Sequence, residues 1–383
     1  MLSEYVPIYS FTLGAVLPGI RHLPAMPIQS RWQVEIPAQS LPTFLFGSPD
    51  ALLNDKKPLL INADHPSTHF LTLHTYRLWS KRFAAGLIRA GLQPGDRVLV
   101  FSGNSIFFPV VLMGVIMAGG IFCGANPSYI SRELAYQLQD SGARFCLSGE
   151  GSLNTALDAA AKAGLSKESV FVFDDGVATF DGTAQGVGGT KPWTNLIASI
   201  DDGVAFKWEN LSTPEELDRT IALNYSSGTT GNPKGVMISH KNYVANITQT
   251  QYIGQQSPSH QERIKRSASL CFLPMYHAMG QTIFCVAEPL NQVPVYIMPK
   301  FDFLKMLEYL QKYKITSLSA VPPIIVALAK HPAVKNFNLS SIEKVGAGAA
   351  PLGREVCAEL EKLWPDGKVN VKQGWGMTEY VQI

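Results

Sequence analysis

The sequence predicts an α/β protein built on doubly wound sheets, and three observations carry that prediction. From Leu71 onward, amphipathic helical segments alternate with short apolar runs across turns that bear Gly and Pro. That is the rhythm of a parallel sheet with helices on both faces. The length, 383 residues, accommodates two such units. Hydrophobic residues are 46% and charged residues 16%, which excludes a disordered chain and a coiled coil.

Residues 1–30 carry Pro7, Pro18, Pro24 and Pro27 without any period and read as an N-terminal extension. Its apolar run Phe11–Ile20 follows Glu4 rather than a basic segment and is broken by Pro18, which disfavours a signal peptide. A first α/β sub-domain is placed at 31–216. Within Tyr76–Leu92, Trp79, Phe83, Leu87 and Ala90 fall at helical spacing, with Arg77, Lys81, Arg82 and Arg89 mostly on the other face. Gly91 and Gln93-Pro94-Gly95-Asp96 stop this helix, and Val98–Phe101 follows as a strand. Ile106–Cys123 is eighteen residues without a charge, near the length of a membrane span. Pro109, Gly114, Gly119, Gly120 and the strand before them favour a buried helix on a sheet instead. A helix from Ser131 to Gln139 ends at Gly142, and strand Arg144–Leu147 comes next. Asp174–Pro192 and Asp201–Glu216 are polar connections. The second sub-domain, 217–383, has strands Ile221–Tyr225, Ser267–Leu273, Val293–Met298, Ser317–Val321 and Glu343–Ala347. Its helices are Asp302–Tyr313, Pro323–Ala329 and Gly353–Trp364.

Net charge is +2 with no long run of one sign, so there is no electrostatic footprint for nucleic acid or an anionic membrane. The five cysteines are scattered without a C-x-x-C pair. They read as reduced core residues of an intracellular, cytoplasmic protein rather than disulfide or zinc ligands. A peroxisomal alternative lacks a C-terminal Ser-Lys-Leu-type signal, and nothing in the sequence assures a protein partner.

The sharpest local feature is Tyr225-Ser-Ser-Gly-Thr-Thr-Gly-Asn-Pro-Lys-Gly235. Its glycines let backbone N–H groups approach phosphate oxygens, Ser226, Ser227, Thr229 and Thr230 add donors, and Lys234 supplies a compact positive charge. A Walker A pattern cannot be laid on it. A flexible surface loop would account for the composition, but not for the lysine, the stiffening proline or the apolar strand that leads in. There is also no G-x-S-x-G elbow, and His277 has no acidic partner four residues on.

Ser226–Gly235 resembles the phosphate-binding signature of the adenylate-forming enzymes, the superfamily of acyl- and aryl-CoA ligases, beetle luciferases and nonribosomal-peptide adenylation domains. Three further segments resemble that family's motifs in the same order: Pro274-Met-Tyr-His-Ala-Met-Gly280, Gly346-Ala-Gly-Ala-Ala-Pro-Leu-Gly353 and Gln373-Gly-Trp-Gly-Met-Thr-Glu379. The branch most similar is the 4-coumarate–CoA ligases. The resemblance implies the large N-terminal domain of that family, two αβα sub-domains plus a small β region.

It also implies roles. Ser226, Ser227, Gly228, Thr229, Thr230, Gly231 and Lys234 would wrap the ATP phosphates. Trp375 would stack on adenine, with Ala349, Ala350 and Pro351 on its other face, and Gln373, Gly374 and Thr378 would line the nucleotide. Thr230 and Glu379 would serve Mg²⁺. His277, Met279, Gly348 and Ala349 would line the acyl site, and Lys300 would contact CoA. The catalytic set is then Lys234, His277, Thr378 and Glu379. The implied reaction is ATP-dependent activation of an apolar aryl or medium-chain acid to acyl-AMP for transfer to CoA. The alternatives are a non-catalytic ATP/acyl-binding remnant and an amino-acid adenylation domain. The chain ends four residues after Glu379, so the relatives' ribose aspartate, hinge and C-terminal lid with its lysine have no counterpart. That predicts ATP and acid binding with slow adenylation and no thioester release.

Overall fold

The computed structural model describes residues 30–53, 55–226 and 232–380. The apolar run Phe11–Ile20 and the loop residues Ser227, Gly228, Thr229, Thr230 and Gly231 therefore lie outside the described residues. Residues 30–35 belong to a unit of their own and carry no helix or strand; the sheets lie within Ile36–Ile383.

Fourteen strands are described: β1 (Leu60–Asn62), β2 (Phe70–Leu71), β3 (Arg97–Phe101), β4 (Ile121–Ala125), β5 (Ala143–Gly149), β6 (Val170–Phe173) and β7 (Lys191–Pro192) come first. They are followed by β8 (Thr220–Ser226), β9 (Lys234–Ser239), β10 (Ser269–Cys271), β11 (Val295–Ile297), β12 (Ser317–Ala320), β13 (Lys344–Ala347) and β14 (Val371–Gln373). They form two seven-stranded sheets, β7-β6-β5-β3-β4-β8-β9 and β14-β13-β12-β10-β11-β1-β2. Each is parallel except for one antiparallel edge strand, β9 and β2. Among the described residues every strand belongs to one of these sheets, so the small β region expected is represented by antiparallel edges rather than a third sheet.

The sheets do not divide at residue 217. β8 pairs with β4, and with β9 it completes the first sheet, whereas β1 and β2 from the N-terminal part edge the second. An apolar run announces a strand but carries no local signal for its distant partner.

The central strands of the first sheet are buried on both faces, as their unbroken apolar runs require. Val98 and Val100 face the large core with helices Leu73–Arg89 and Phe108–Met117. Leu99 and Phe101 face a second core closed by helices Ser131–Ser141 and Leu153–Ala163. The uncharged stretch at 106–123 is thus a fully buried ten-residue helix followed by the start of β4. Among the described residues no helix is long and apolar enough to cross a membrane. Helix Leu73–Arg89 begins three residues before the expected start because Thr72 and Thr75 cap it reciprocally. On that helix Lys81 is buried rather than on a solvated face, its stem packed and its Nζ donating to the Val204 carbonyl at 3.1 Å. The polar connections 174–192 and 201–216 hold or border short helices, Val177–Phe180, Ile200–Ala205 and Pro214–Leu217, the last two capped by Ser199 and Thr213.

A candidate acid and nucleotide site

The second sheet ends in a crevice. Beyond the C-terminal ends of parallel strands β10, β12, β13 and β14 lies a cavity of about 410 Å³, in the position where open α/β sheets take ligands. Leu273, Pro274, His277, Met279, Gly280 and Ile283 form one wall. The ends of β12 and β13 and residues 372–376 form the others. Of the residues expected at the site, His277, Met279, Gly348, Ala349, Gln373, Gly374 and Trp375 are brought together on this lining. Lys300 is exposed just past β11 and is not on it. Ala350 and Pro351 are exposed beside it.

His277 caps a short helical turn that runs into a seven-residue π-helical stretch, Gln281–Ala287. Its side chain lies on the cavity wall, and partial desolvation there lowers its pKa below the ordinary imidazole value. The imidazole is therefore neutral near pH 7. Two glycines let the segment sit where it does. A Cβ on Gly124 of β4 would lie 2.5 Å from the Tyr276 carbonyl, and one on Gly280 would overlap the Pro274 carbonyl.

Buried amides hold the segment from both sides. Asn104 donates to the Leu273 carbonyl at 3.0 Å and accepts from the Met275 N–H at 2.9 Å. Asn224 of β8 and Gln281 form a reciprocal amide pair at 2.9 and 3.1 Å. Gln281 also donates to the Tyr276 carbonyl at 2.9 Å and accepts from the Tyr243 hydroxyl at 2.5 Å. Asn104, Asn224, Tyr243 and Gln281 were not among the residues expected. Their one sequence signal is a polar group, an amide or the Tyr243 hydroxyl, set in or just past an apolar run, where burial demands a partner. The π-helical carbonyl of Cys285 is met by the buried Tyr76 hydroxyl at 3.1 Å.

Across the cavity, Ala349 has φ of +70°, a left-handed conformation that costs a non-Gly residue about 1–2 kcal/mol. Gln373 spends its side-chain amide on Leu352, accepting from its N–H at 3.3 Å and donating to its carbonyl at 3.1 Å. It therefore pins the 346–353 segment to β14. Trp375 is 73% exposed on the cavity lining, which excludes a core role.

After Trp375 the chain passes to a turn, Thr378–Tyr380, that lies against β8 and β9. Thr378 is buried there and Glu379 exposed. Ser226 and Lys234 stand opposite each other at the open end of the β8–β9 hairpin, flanking the loop residues that lie outside the described set. Lys234 is exposed and has no ion-pair partner among the described residues. The hairpin stem is tied to helix Ser131–Ser141 at both ends of the loop. Tyr225 donates to Asp140 at 2.6 Å, and Tyr136 donates to the Pro233 carbonyl at 3.0 Å.

Residues 54–383 match the family described as AMP-binding enzyme. The chain is 32% identical over 355 residues to a phenylacetyl-CoA ligase of Aspergillus niger, covering 92% of this chain and 62% of that protein. It is 31% identical over 323 residues to 4-coumarate:CoA ligase 1 of Petunia hybrida, covering 84% and 55%. The chain thus spans somewhat over half the length of these relatives. Among solved structures, a red-emitting luciferase of Phrixothrix hirtus superposes with a TM-score of 0.74 at 26% identity, covering 92% of this chain and 80% of that one.

Proposed function

The chain belongs to the AMP-binding enzyme family, and from that membership we propose that it activates an apolar carboxylic acid, aryl or medium-chain, to acyl-AMP for transfer to CoA, acting in the cytoplasm. One observation carries the reading. The apolar cavity with His277 and Trp375 on its wall is continuous in sequence with the turn that lies against β8 and β9, the strands that carry Ser226 and Lys234 at their paired ends. Acid and triphosphate sites would thereby be neighbours. The acid's carboxylate oxygen would attack the α-phosphorus, a new O–P bond forming as the bond to pyrophosphate breaks. His277, neutral, would hold the carboxylate by a hydrogen bond without neutralising it. Lys234 would face the phosphates, and with Ser226–Gly231 it would hold the β- and γ-groups for departure. Trp375 would stack on adenine, with Ala349, Ala350 and Pro351 opposite and Gln373, Gly374 and Thr378 alongside.

Mg²⁺ fits the chemistry of the donor set. Glu379 presents an exposed carboxylate beside the hairpin, a hard oxygen ligand of the kind this ion takes, and Thr230 would add a hydroxyl. When bound, the ion supplies charge neutralisation on the phosphates. Lys300, outside the cavity, would meet CoA.

The described lining contains no Asp or Glu, while Lys372 and His277 are on it. A zwitterionic amino acid would find no partner for its ammonium, so a plain carboxylic acid is favoured over an amino acid. ATP–pyrophosphate exchange over a panel of aryl, alkyl and amino acids tests the reading. Exchange should rise with aryl and medium-chain acids and not with amino acids. Nucleotide binding with exchange unmoved by every acid would select a non-catalytic binding module instead.

A further inference from the structure

A second cavity, of about 530 Å³, opens at the other end of the first sheet, around the N-terminal ends of β3, β4 and β8. β8 runs seven residues from Thr220 at this cavity to Ser226 at the hairpin, about 20 Å at ~3.3 Å per residue, so the two ligand regions are separate. Its walls are mostly apolar, with Ile116, Met117, Trp208, Leu211 and Ile221 among them. Arg219 and Glu209 line it too, and they pair with each other at 3.0 Å, so the rim is neutral overall.

One lining residue is set apart. His240 is 5% exposed, and its Nδ1 accepts the Leu41 N–H at 3.0 Å. That bond fixes the proton of the neutral ring on Nε2. Among the described residues, no acceptor meets this Nε2–H, and the ring lines the cavity. Burial, with Arg219 nearby, pushes the His240 pKa down to about 4, so the ring stays neutral at physiological pH. A neutral donor within an apolar wall selects against ions and for an uncharged molecule with one acceptor oxygen.

We propose that this cavity is a binding site for a small, uncharged, mostly apolar molecule whose carbonyl-type oxygen accepts the His240 Nε2–H. The volume is within the range of small-molecule sites and admits an aromatic ring. The inference is independent of the acid-activation reading, since it uses none of those residues.

The test uses acetophenone and ethylbenzene, close in shape and differing in the acceptor oxygen, titrated into the full chain labelled with ¹⁵N-histidine. Acetophenone should shift the His240 ring resonance saturably and bind about tenfold more tightly than ethylbenzene, the worth of one buried hydrogen bond. His240→Asn keeps an acceptor for the Leu41 N–H and draws the remaining donor, its amide NH2, back from the position of Nε2 toward the backbone, and it should reduce that preference. Leu211→Trp, which fills the cavity without touching His240, should abolish acetophenone binding and serves if the first variant does not fold. Phenylacetate should perturb His277 and leave His240 unmoved. No saturable shift at His240 would mean the cavity holds only water, and equal binding of the two probes would mean the histidine is purely structural. Either result overturns the proposal.

Discussion

Gln281→Leu is the substitution that most sharply probes how the site is held. Gln281 is fully buried and uses both ends of its amide, with Asn224 and the Tyr243 hydroxyl on one side and Asn224 and the Tyr276 carbonyl on the other. Leucine fills most of the volume and makes none of these bonds. Asn224 then loses both partners, and the Tyr243 hydroxyl and Tyr276 carbonyl are stranded. Each orphaned buried group costs about 1–3 kcal/mol, and with partial relaxation the loss should reach about 3–5 kcal/mol. Asn224→Leu should cost less, about 1–3 kcal/mol, because Gln281 keeps Tyr243 and Tyr276. The double variant should be milder than the sum by at least about 1 kcal/mol, since the second change removes groups that the first orphaned. Urea midpoints at unchanged slope read all three. A Gln281→Leu chain within about 1 kcal/mol of the parent, or a strictly additive double variant, would refute the reasoning.

Lys234→Ala should weaken ATP binding by about 1.5–3 kcal/mol, one charge-assisted contact, while the melting temperature holds because the residue is exposed; calorimetric titration beside thermal unfolding separates the two. Gly280→Ala places a methyl against the Pro274 carbonyl and should cost about 1–3 kcal/mol, as overpacking does, with weaker acid binding in a titration of the same variant. Stability should also depend on His240. Its folded pKa of about 4 lies below the ordinary 6.5, so the unfolded chain binds its proton first as pH falls. The contribution is complete above about 6.5, shrinks between 6.5 and 4, and totals roughly 3 kcal/mol. Urea midpoints over that window should fall, and His240→Asn should flatten the fall; a parent midpoint independent of pH there would contradict the assignment.

What was legible in the sequence was local. Val98–Phe101 and Glu343–Ala347 read as strands because apolar runs end at Gly or Pro punctuation, and β3 and β13 lie there. The ordered motifs located His277, Met279, Gly348, Ala349 and Trp375, which do share one cavity. What was not legible depends on distant partners. β8 follows a polar connection and looked like the start of a new unit, yet it pairs with β4 from about a hundred residues earlier. Helix His240–Gln255 carries a weak sequence signal because its buried residues, His240, Tyr243, Val244 and Ile247, lie in its first half, and Thr, Asn and Gln obscure the period in the rest. Asn104, Asn224 and Gln281 are ordinary polar letters until the fold buries them. Their role exists only in the pairing.

The central claim is that this site joins an apolar acid to the adenylyl group of ATP. The most direct measurement is a single-turnover incubation of stoichiometric chain with ATP, Mg²⁺ and phenylacetate or 4-coumarate, quenched and searched by mass spectrometry for the acyl-adenylate. Acyl-adenylate and pyrophosphate should appear in equal amount, reduced in Lys234→Ala and absent when an amino acid replaces the aryl acid. Intact ATP, or ADP and phosphate, with no adenylate from any acid that binds the cavity would contradict the claim.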